Sequence, residues 1–415
     1  MNRRKLISLF SGAGGLDYGF EAAGFDTAVA LDLDSDACAV LQDNRPWPII
    51  ERDLGLVSTQ EILNTAALRR SDADVLIGGP PCQPFSKSGY WASGDAARLK
   101  DPRAQTLVGY LRVLEDSLPM VFLLENVPGL AFSGKNDGLE LIRRKVRSIN
   151  ERQGTRYQIS VECLNAANFG VPQIRQRVFV VGHREGRQFA FPKATHADPS
   201  ERSGLEPFRT AWDALGDLPE LNADESLRLT GKWADLLASI PEGSNYLWHT
   251  SRGGGLPLFG WRTRYWNFLL KLSRILPSWT IQAQPGPATG PFHWTNRKLS
   301  KRELLRLQTF PDDVRLDCDR SVAQRLVGNA VPSALAEVLA TEIQRQFFGQ
   351  NATDGLQLIP RRRGRVPPPW PVASVPIGYR NLVGEHSDHP GTGKGRRASR
   401  RPSAVTLAAA GEYAE

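Results

Sequence analysis

A doubly wound α/β sheet is what this sequence predicts, on two observations. Six short apolar runs punctuate the first 185 residues, at 5–10, 27–34, 74–79, 120–125, 157–162 and 177–182. They are rich in Val, Ile, Leu and Phe, as strands covered on both faces must be. Between them stand helix candidates at 14–24, 35–44, 58–69, 104–117 and 137–152. Strand and helix alternating at this length build a layered sheet with helices on both sides. The chain of 415 residues suffices for one large domain or two ordinary ones.

Beyond residue 185 the alternation stops. Residues 186–295 are rich in Gly, Pro and Trp, with seven of the ten tryptophans, and follow no regular pattern. Order returns at "SKRE", where Ser300 and Glu303 form a capping box that opens "ELLRLQTF". A final helix is expected from Pro332, a suitable first-turn proline. From 351 the chain holds "IPRRRGRVPPPWP" and "GTGKGRRASRRPS" and is expected to be a disordered or at most partly ordered tail. It lies outside every motif, so truncation after about 350 is expected to leave activity largely intact. Internal repeats are absent from the sequence.

Composition narrows the class. Hydrophobic residues make up 41% and charged residues 23%, as in a soluble globular protein. The apolar run near the start is too short for a signal peptide, and no stretch nears the roughly 20 apolar residues of a membrane span. A cytoplasmic protein is expected. Net charge is +8, but residues 351–415 alone hold ten Lys/Arg against five Asp/Glu. The charge is therefore a weak pointer to a polyanionic partner. Cys38, Cys82, Cys163 and Cys318 are scattered without a CxxC pair, and the six histidines are dispersed. That argues against a disulfide framework and against zinc, and no metal is expected.

Chemistry-bearing residues cluster at predicted strand ends. "LFSGAGGLDYGF" (9–20) follows the first strand, and its glycines at 12, 14 and 15 permit a tight turn and close approach of a ligand to the backbone. Asp32 and Asp34 end the second strand, where an acid typically grips ribose hydroxyls. The pattern falls short of a full G-x-G-x-x-G, leaving a nucleoside-containing cofactor or a structural glycine turn. Asp53 closes a third apolar run, placed either to reach an adenine edge or to cap the helix at 58–69.

"GGPPCQPFSKSG" (78–89) sets Cys82 at the carboxyl edge of the fourth strand behind two prolines that restrict the approach. It reads as a nucleophile, with an inert packed cysteine as the alternative. In "LLENVPG" (123–129), Glu125 follows apolar residues on the same edge, so burial should raise its pKa and let it hold a proton near neutrality. The bland reading is a cap for the next segment. Arg175 and Arg177, two apart in "QIRQRVF", suit clamping an anion or a carbonyl oxygen. A solvated strand edge is the other option.

Taken in order, "LFSGAGG", "LDLDSD", "GGPPCQPFSKSG", "LLENVPG", "NFGVPQIRQRVFVVG", "RKLSKRELLRLQTFPDD" and "QRLVGNAVPSALAEVLA" resemble the motif set of DNA cytosine-5 methyltransferases of the bacterial restriction-modification type. The resemblance covers about 5 to 348 apart from 186–295. It implies a Rossmann-like sheet at 1–185 that binds S-adenosylmethionine, a smaller target-recognition domain at 186–295, and a return to the catalytic domain at 296–348.

It also implies roles. Cys82 would attack carbon 6 of cytosine, activating carbon 5 toward the methyl group. Glu125 would hydrogen-bond ring nitrogen 3 and the exocyclic amine. Arg177, assisted by Arg175, would hold the cytosine carbonyl. Pro81 would position the cysteine. Gln83, Phe85 and Ser86 begin the family's loop that closes over a base flipped out of the duplex, extending to about 103. Phe10 resembles the aromatic that packs on adenine, Ser11, Gly12, Gly14 and Gly15 would line the methionine side, and Asp32 and Asp53 would contact ribose and adenine. Asn329 and Ala330 would complete the pocket. Ser8, where many members carry Asp, and Ser333, where a second Pro is frequent, depart from the pattern.

In 186–295 the implied DNA contacts are Arg262 and Arg264, in a segment that also carries Lys271 and Arg274 among aromatics able to meet phosphates and bases. Most tryptophans are expected to fill a small core instead. The implied partner is double-stranded DNA, read by a monomer, with a cognate restriction endonuclease as the commonest genetic companion. A transfer-RNA cytosine-5 methyltransferase shares the motif order, but the Cys-Phe-Thr tripeptide of those relatives is absent from this sequence. A nucleotide-binding oxidoreductase accounts for the glycine loop and Asp32 but not for Cys82, Glu125 and Arg177 together.

Overall fold

A computed structural model describes residues 3–81, 105–132, 137–221, 224–262, 265–349 and 355–386. Seven strands form the central sheet: β1 (Arg4–Leu9), β2 (Phe25–Asp32), β3 (Ile49–Glu51), β4 (Val75–Gly78), β5 (Val121–Asn126), β6 (Gln158–Asn165) and β7 (Gln176–His183). Their order is β3-β2-β1-β4-β5-β7-β6. Strands β1 to β5 pair in parallel, whereas β7 runs antiparallel to both β5 and β6.

The sheet is therefore mixed, not uniformly parallel. The reversal matters, because the start of β7 lands at the edge where β1, β4 and β5 end. Alternate β1 residues are buried on opposite faces, with Ile7 and Leu9 in one apolar cluster and Leu6 in the other.

Helices cover both faces: α1 (Gly15–Ala22), α2 (Ser35–Asn44), α3 (Thr59–Thr65), α4 (Gln105–Ser117), α5 (Asp137–Gln153), α6 (Ala211–Leu215), α7 (Lys301–Leu307), α8 (Arg320–Asn329) and α9 (Ser333–Ile343). Residues of α3, α4 and α5 share the cluster containing Ile7, and residues of α1 and α9 share the one containing Leu6. Helix starts follow local chemistry. The Asp34 carboxylate accepts the Asp36 N–H, the Ser58 hydroxyl accepts the Glu61 N–H, and Ser300 and Glu303 close the expected capping box. Helix α1 packs on α9 at backbone distance, since a Cβ on Gly19 would lie 2.4 Å from both Ala336 Cβ and Ser333 O.

Among the described residues, 186–295 are mostly loops and short turns, with a two-residue parallel ladder of His196–Ala197 on Glu206–Pro207. They include a separate apolar cluster around Leu229, Leu236, Leu237, Ile240, Tyr246 and Leu269. Trp233, Trp248, Trp261 and Trp266 pack against it, the core-filling use expected of them. Within 351–415, residues 355–386 pack against the rest of the chain, the partly ordered alternative of the expectation. Val375 belongs to the cluster of Leu229, and the Leu358 N–H donates to the Glu337 carboxylate on α9. The expected disorder at 351–354 and 387–415 falls on residues outside those described.

Candidate active site

The loop after β1 is shaped by backbone conformation. Phe10 and Gly12 take positive φ angles of 55° and 54°. A Cβ on Gly12 would meet nothing within 4 Å, so this glycine faces open space. Gly14 combines a positive φ of 84° with tight packing, and Gly15 has a packing reason. A Cβ on Gly14 would approach Leu41 to 2.8 Å, and one on Gly15 would approach Val331 O to 2.3 Å and Ala330 Cβ to 3.1 Å.

The acid at the end of β2 tethers this loop. Asp32 accepts the Gly12 N–H at 2.7 Å on one carboxyl oxygen and the Asp34 N–H at 2.9 Å on the other. Burial nonetheless holds its pKa above the ordinary value. Asp34 is taken up otherwise, capping α2 and pairing with Arg325, whose hydrogen bond pulls the carboxyl below its usual range. Asp53 is exposed, and its carboxylate accepts the Gly55 N–H at 2.8 Å, the capping role. It caps a single turn at 54–56, while Ser58 caps α3. Asn329 is exposed at the end of α8, and Ala330 lies beside Gly15.

Strands β4 and β5 end side by side. A Cβ on Gly79 would lie 2.8 Å from Glu125 Oε2, so the glycine lets the carboxylate reach the backbone after β4. Asn126 Nδ2 donates to Pro80 O at 3.1 Å, and Thr106 Oγ1 donates to Pro81 O at 3.1 Å. Two bonds thus hold the diproline segment on which Cys82 follows. Cys82, Gln83, Phe85, Ser86 and Arg264 lie outside the described residues.

Glu125 is buried, and Arg177 Nε stands 2.9 Å from its Oε1. Burial raises the Glu125 pKa, while Arg177 and then Arg175 pull it back. Arg175 is 1% exposed and donates from Nη2 to Gly328 O at 2.8 Å, binding β7 to the end of α8. At this edge a carboxyl with a raised pKa and a guanidinium converge within two residues of Pro81.

Two buried glutamines were not singled out from sequence. Gln173 Nε2 donates to Gln308 Oε1 at 3.0 Å, and Gln308 Nε2 donates to Val327 O at 2.7 Å. Together they hold α7 and α8 to the segment before β7. A polar residue in a loop motif carries no local sign that it is buried. Leu33, 67% exposed between Asp32 and Asp34, is an apolar surface left open beside the loop. Asp17 in α1 is wholly buried, near Ser8 and Ser11, whose hydroxyls lie 2.8 Å apart. It accompanies the departure at Ser8.

In 186–295, Arg262 is exposed, but Lys271 and Arg274 are buried. Lys271 Nζ donates to Ile240 O, and Arg274 Nη1 lies 3.1 Å from Glu242 Oε1. The expected phosphate contacts from these two are corrected to structural roles, because burial denies them a polyanion.

The C-5 cytosine-specific DNA methylase family matches residues 4–345. Among curated proteins, the type II methyltransferase M.SacI of Streptomyces achromogenes is 40% identical over 371 residues, covering 82% of this chain and 93% of that protein. M.NgoFVII of Neisseria gonorrhoeae, also a type II methyltransferase, is 34% identical over 346 residues, covering 82% and 87%. Among solved structures, an E. coli prophage-encoded DNA modification methyltransferase superposes with a TM-score of 0.60 at 23% identity, covering 82% and 99%. The S. pombe Dnmt2 methyltransferase follows at 0.53 and 18%, covering 83% and 100%. At those identities the structural likeness speaks for the fold.

Proposed function

The chain belongs to the C-5 cytosine-specific DNA methylase family, and from that premise we propose that its carboxyl-edge site acts on a cytosine flipped out of duplex DNA through a covalent Cys82 adduct. The observation that carries this reading is the buried Glu125–Arg177 pair, next to the diproline segment that leads to Cys82.

The Cys82 thiolate adds to carbon 6 of the ring, and the ring electrons move toward nitrogen 3. Glu125, whose pKa burial has raised, holds a proton at nitrogen 3 and accepts from the exocyclic amine. Arg177 steadies the carbonyl oxygen as charge develops there. Carbon 5 is then the nucleophile. After it gains the methyl group, its proton leaves to base, and the electron pair expels Cys82 as thiolate. A base inside the duplex cannot reach such a site, so flipping is part of the reading.

The residues also fit S-adenosylmethionine, which when bound supplies the electrophilic methyl group. Open space at Gly12 and the exposed Leu33 beside Asp32 are what a nucleoside with a methionine tail needs. Phe10, Ser11, Gly12, Asp32, Leu33 and Asn329 would hold it. Asp53, committed to its own turn, contributes little. No metal enters this reading.

Residues 186–295 then read the target sequence, and a monomer acting in the cytoplasm suffices. As the relatives are named type II methyltransferases, we infer that the modification protects host DNA from a cognate endonuclease. Duplex DNA incubated with the purified protein and methyl-labelled S-adenosylmethionine should carry label on cytosine carbon 5. Label on adenine, or only on RNA, would overturn the proposal. Bisulfite sequencing of DNA from an expressing host would give the target sequence.

A further inference from the structure

We propose that residues 355–384 form a strap that fixes the recognition region on the catalytic domain and so positions it against DNA. The inference rests on reading 186–295 as the recognition region. The family match ends at residue 345, so the strap lies outside it.

The strap first answers a need in the catalytic domain. Glu337 on α9 is 1% exposed, and a buried carboxylate must find donors. Its two oxygens accept the N–H groups of Gln357 at 2.6 Å and Leu358 at 2.9 Å. The next residue, Ile359, fills the space above Gly170, where an added Cβ would lie 3.0 Å away.

The chain then crosses α6. The Arg363 N–H donates to Asp213 Oδ1 at 2.8 Å, its Nε donates to Asp213 O at 3.0 Å, and its guanidinium pairs with Asp217 at 2.7 Å. Asp213 itself is the buried N3 acid of the α6 capping box. The strap therefore holds a helix that lies inside the recognition region.

Its far end completes the recognition core. Pro368 O accepts from buried Arg274 at 2.7 Å, and the Trp370 N–H donates to Glu242, the partner of Arg274, at 3.2 Å. Val375 joins the cluster of Leu229, while Tyr379 stacks on Trp233 at 5.9 Å and donates to Lys232 O at 2.7 Å. One continuous segment thus meets α9, α6 and the core of 229–269. A chain that bridges two units at both ends restricts their relative orientation, and a misplacement of about 1 Å at a reacting centre is enough to cost roughly 10²-fold.

The test compares the full chain with forms ending after His386 and after Asp354. The form ending at 386 should match the full chain. The form ending at 354 should raise KM for duplex DNA about tenfold while calorimetric affinity for S-adenosylhomocysteine stays within about twofold. Amide exchange within 229–269 should quicken in the shorter form. A synthetic 355–386 peptide added in trans should restore KM and protection. If the shorter form does not fold, Val375→Asp with Tyr379→Ala in the full chain tests the same end.

Unchanged DNA KM and unchanged exchange in these variants would overturn the strap. So would equal losses of DNA and cofactor binding, which would mark general destabilisation. A full chain that methylates no cytosine would instead defeat the functional reading, while the exchange result would still judge the strap.

Discussion

Arg177 Nε lies 2.9 Å from Glu125 Oε1, and both side chains are almost closed to solvent. The pair is made by the sheet's one reversal: β7 runs antiparallel to β5, with Glu125 opposite Phe179, two residues beyond Arg177. Two opposing influences then set the carboxyl. Burial raises its pKa, and the arginines lower it. Glu125→Gln keeps the shape but cannot exchange a proton, and should lower kcat by roughly 10²-fold with DNA affinity retained. Arg177→Gln removes the leading downward influence, so the limb of the pH–kcat profile that reports Glu125 should move to higher pH. An unmoved limb would show that Arg177 does not tune this group.

Asp17 offers a pH test independent of catalysis. Burial raises its carboxyl from 3.8 to about 7, with the Ser8 hydroxyl pulling the other way and Asp32 and Glu21 adding to the rise. A folded-state pKa above the unfolded one contributes stability that is fully present below about pH 4 and lost as pH rises through about 7. A shift of about three units corresponds to on the order of 4 kcal/mol. Asp17→Asn should therefore flatten the fall in stability between pH 5 and 8, measured by urea unfolding at both. Parallel wild-type and variant curves would show that Asp17 ionises normally.

Much of this was legible in sequence, for local reasons. Each predicted strand run falls on a strand, since continuous Val, Ile and Leu have few other uses at that length. Residue type and position at strand ends point to Glu125 and Arg177, and the fold pairs them. Strand direction was not legible, because an apolar run reads alike either way, and the antiparallel course of β7 comes from the fold alone. Lys271 and Arg274 counted as available charge until the fold buried them. Pro and Arg content reads 351–415 as disordered or at most partly ordered, without showing which part orders, and what orders 355–386 includes the buried Glu337 on a distant helix. Composition does not reveal a partner supplied from elsewhere in the fold.

Two glycines near the nucleoside loop separate stability from binding. Gly19→Ala would press a methyl group to 2.4 Å from Ser333 O and Ala336 Cβ, an overpacking cost of about 1–3 kcal/mol. Gly12→Ala meets open space and only the strain of φ 54°, about 1–2 kcal/mol. Its methyl group would project where the cofactor is proposed to lie. Thermal unfolding should show a loss for Gly19→Ala with near-normal S-adenosylmethionine affinity per folded molecule. Gly12→Ala should show a several-fold loss of affinity in calorimetry. Equal affinity losses in both would remove Gly12 from the pocket.

Arg262 and Lys271 stand nine residues apart in one basic aromatic segment, yet they should answer differently to salt. Arg262 is exposed. If it meets a phosphate, Arg262→Ala should weaken binding across DNA sequences and reduce the slope of log affinity against log salt by about 1. Lys271 is 4% exposed, its ammonium donates to Ile240 O, and burial lowers its pKa to about 8. It releases no counterion from DNA, so Lys271→Met should leave the slope alone and act on stability. The sign follows from the lowered pKa, since the ammonium loses its proton more readily folded than unfolded. Stability should therefore be lower at pH 7 than at pH 9 by comparison with Lys271→Met. Filter-binding titrations across salt and unfolding at the two pH values test this, and a slope that falls equally in both variants would place Lys271 on the DNA after all.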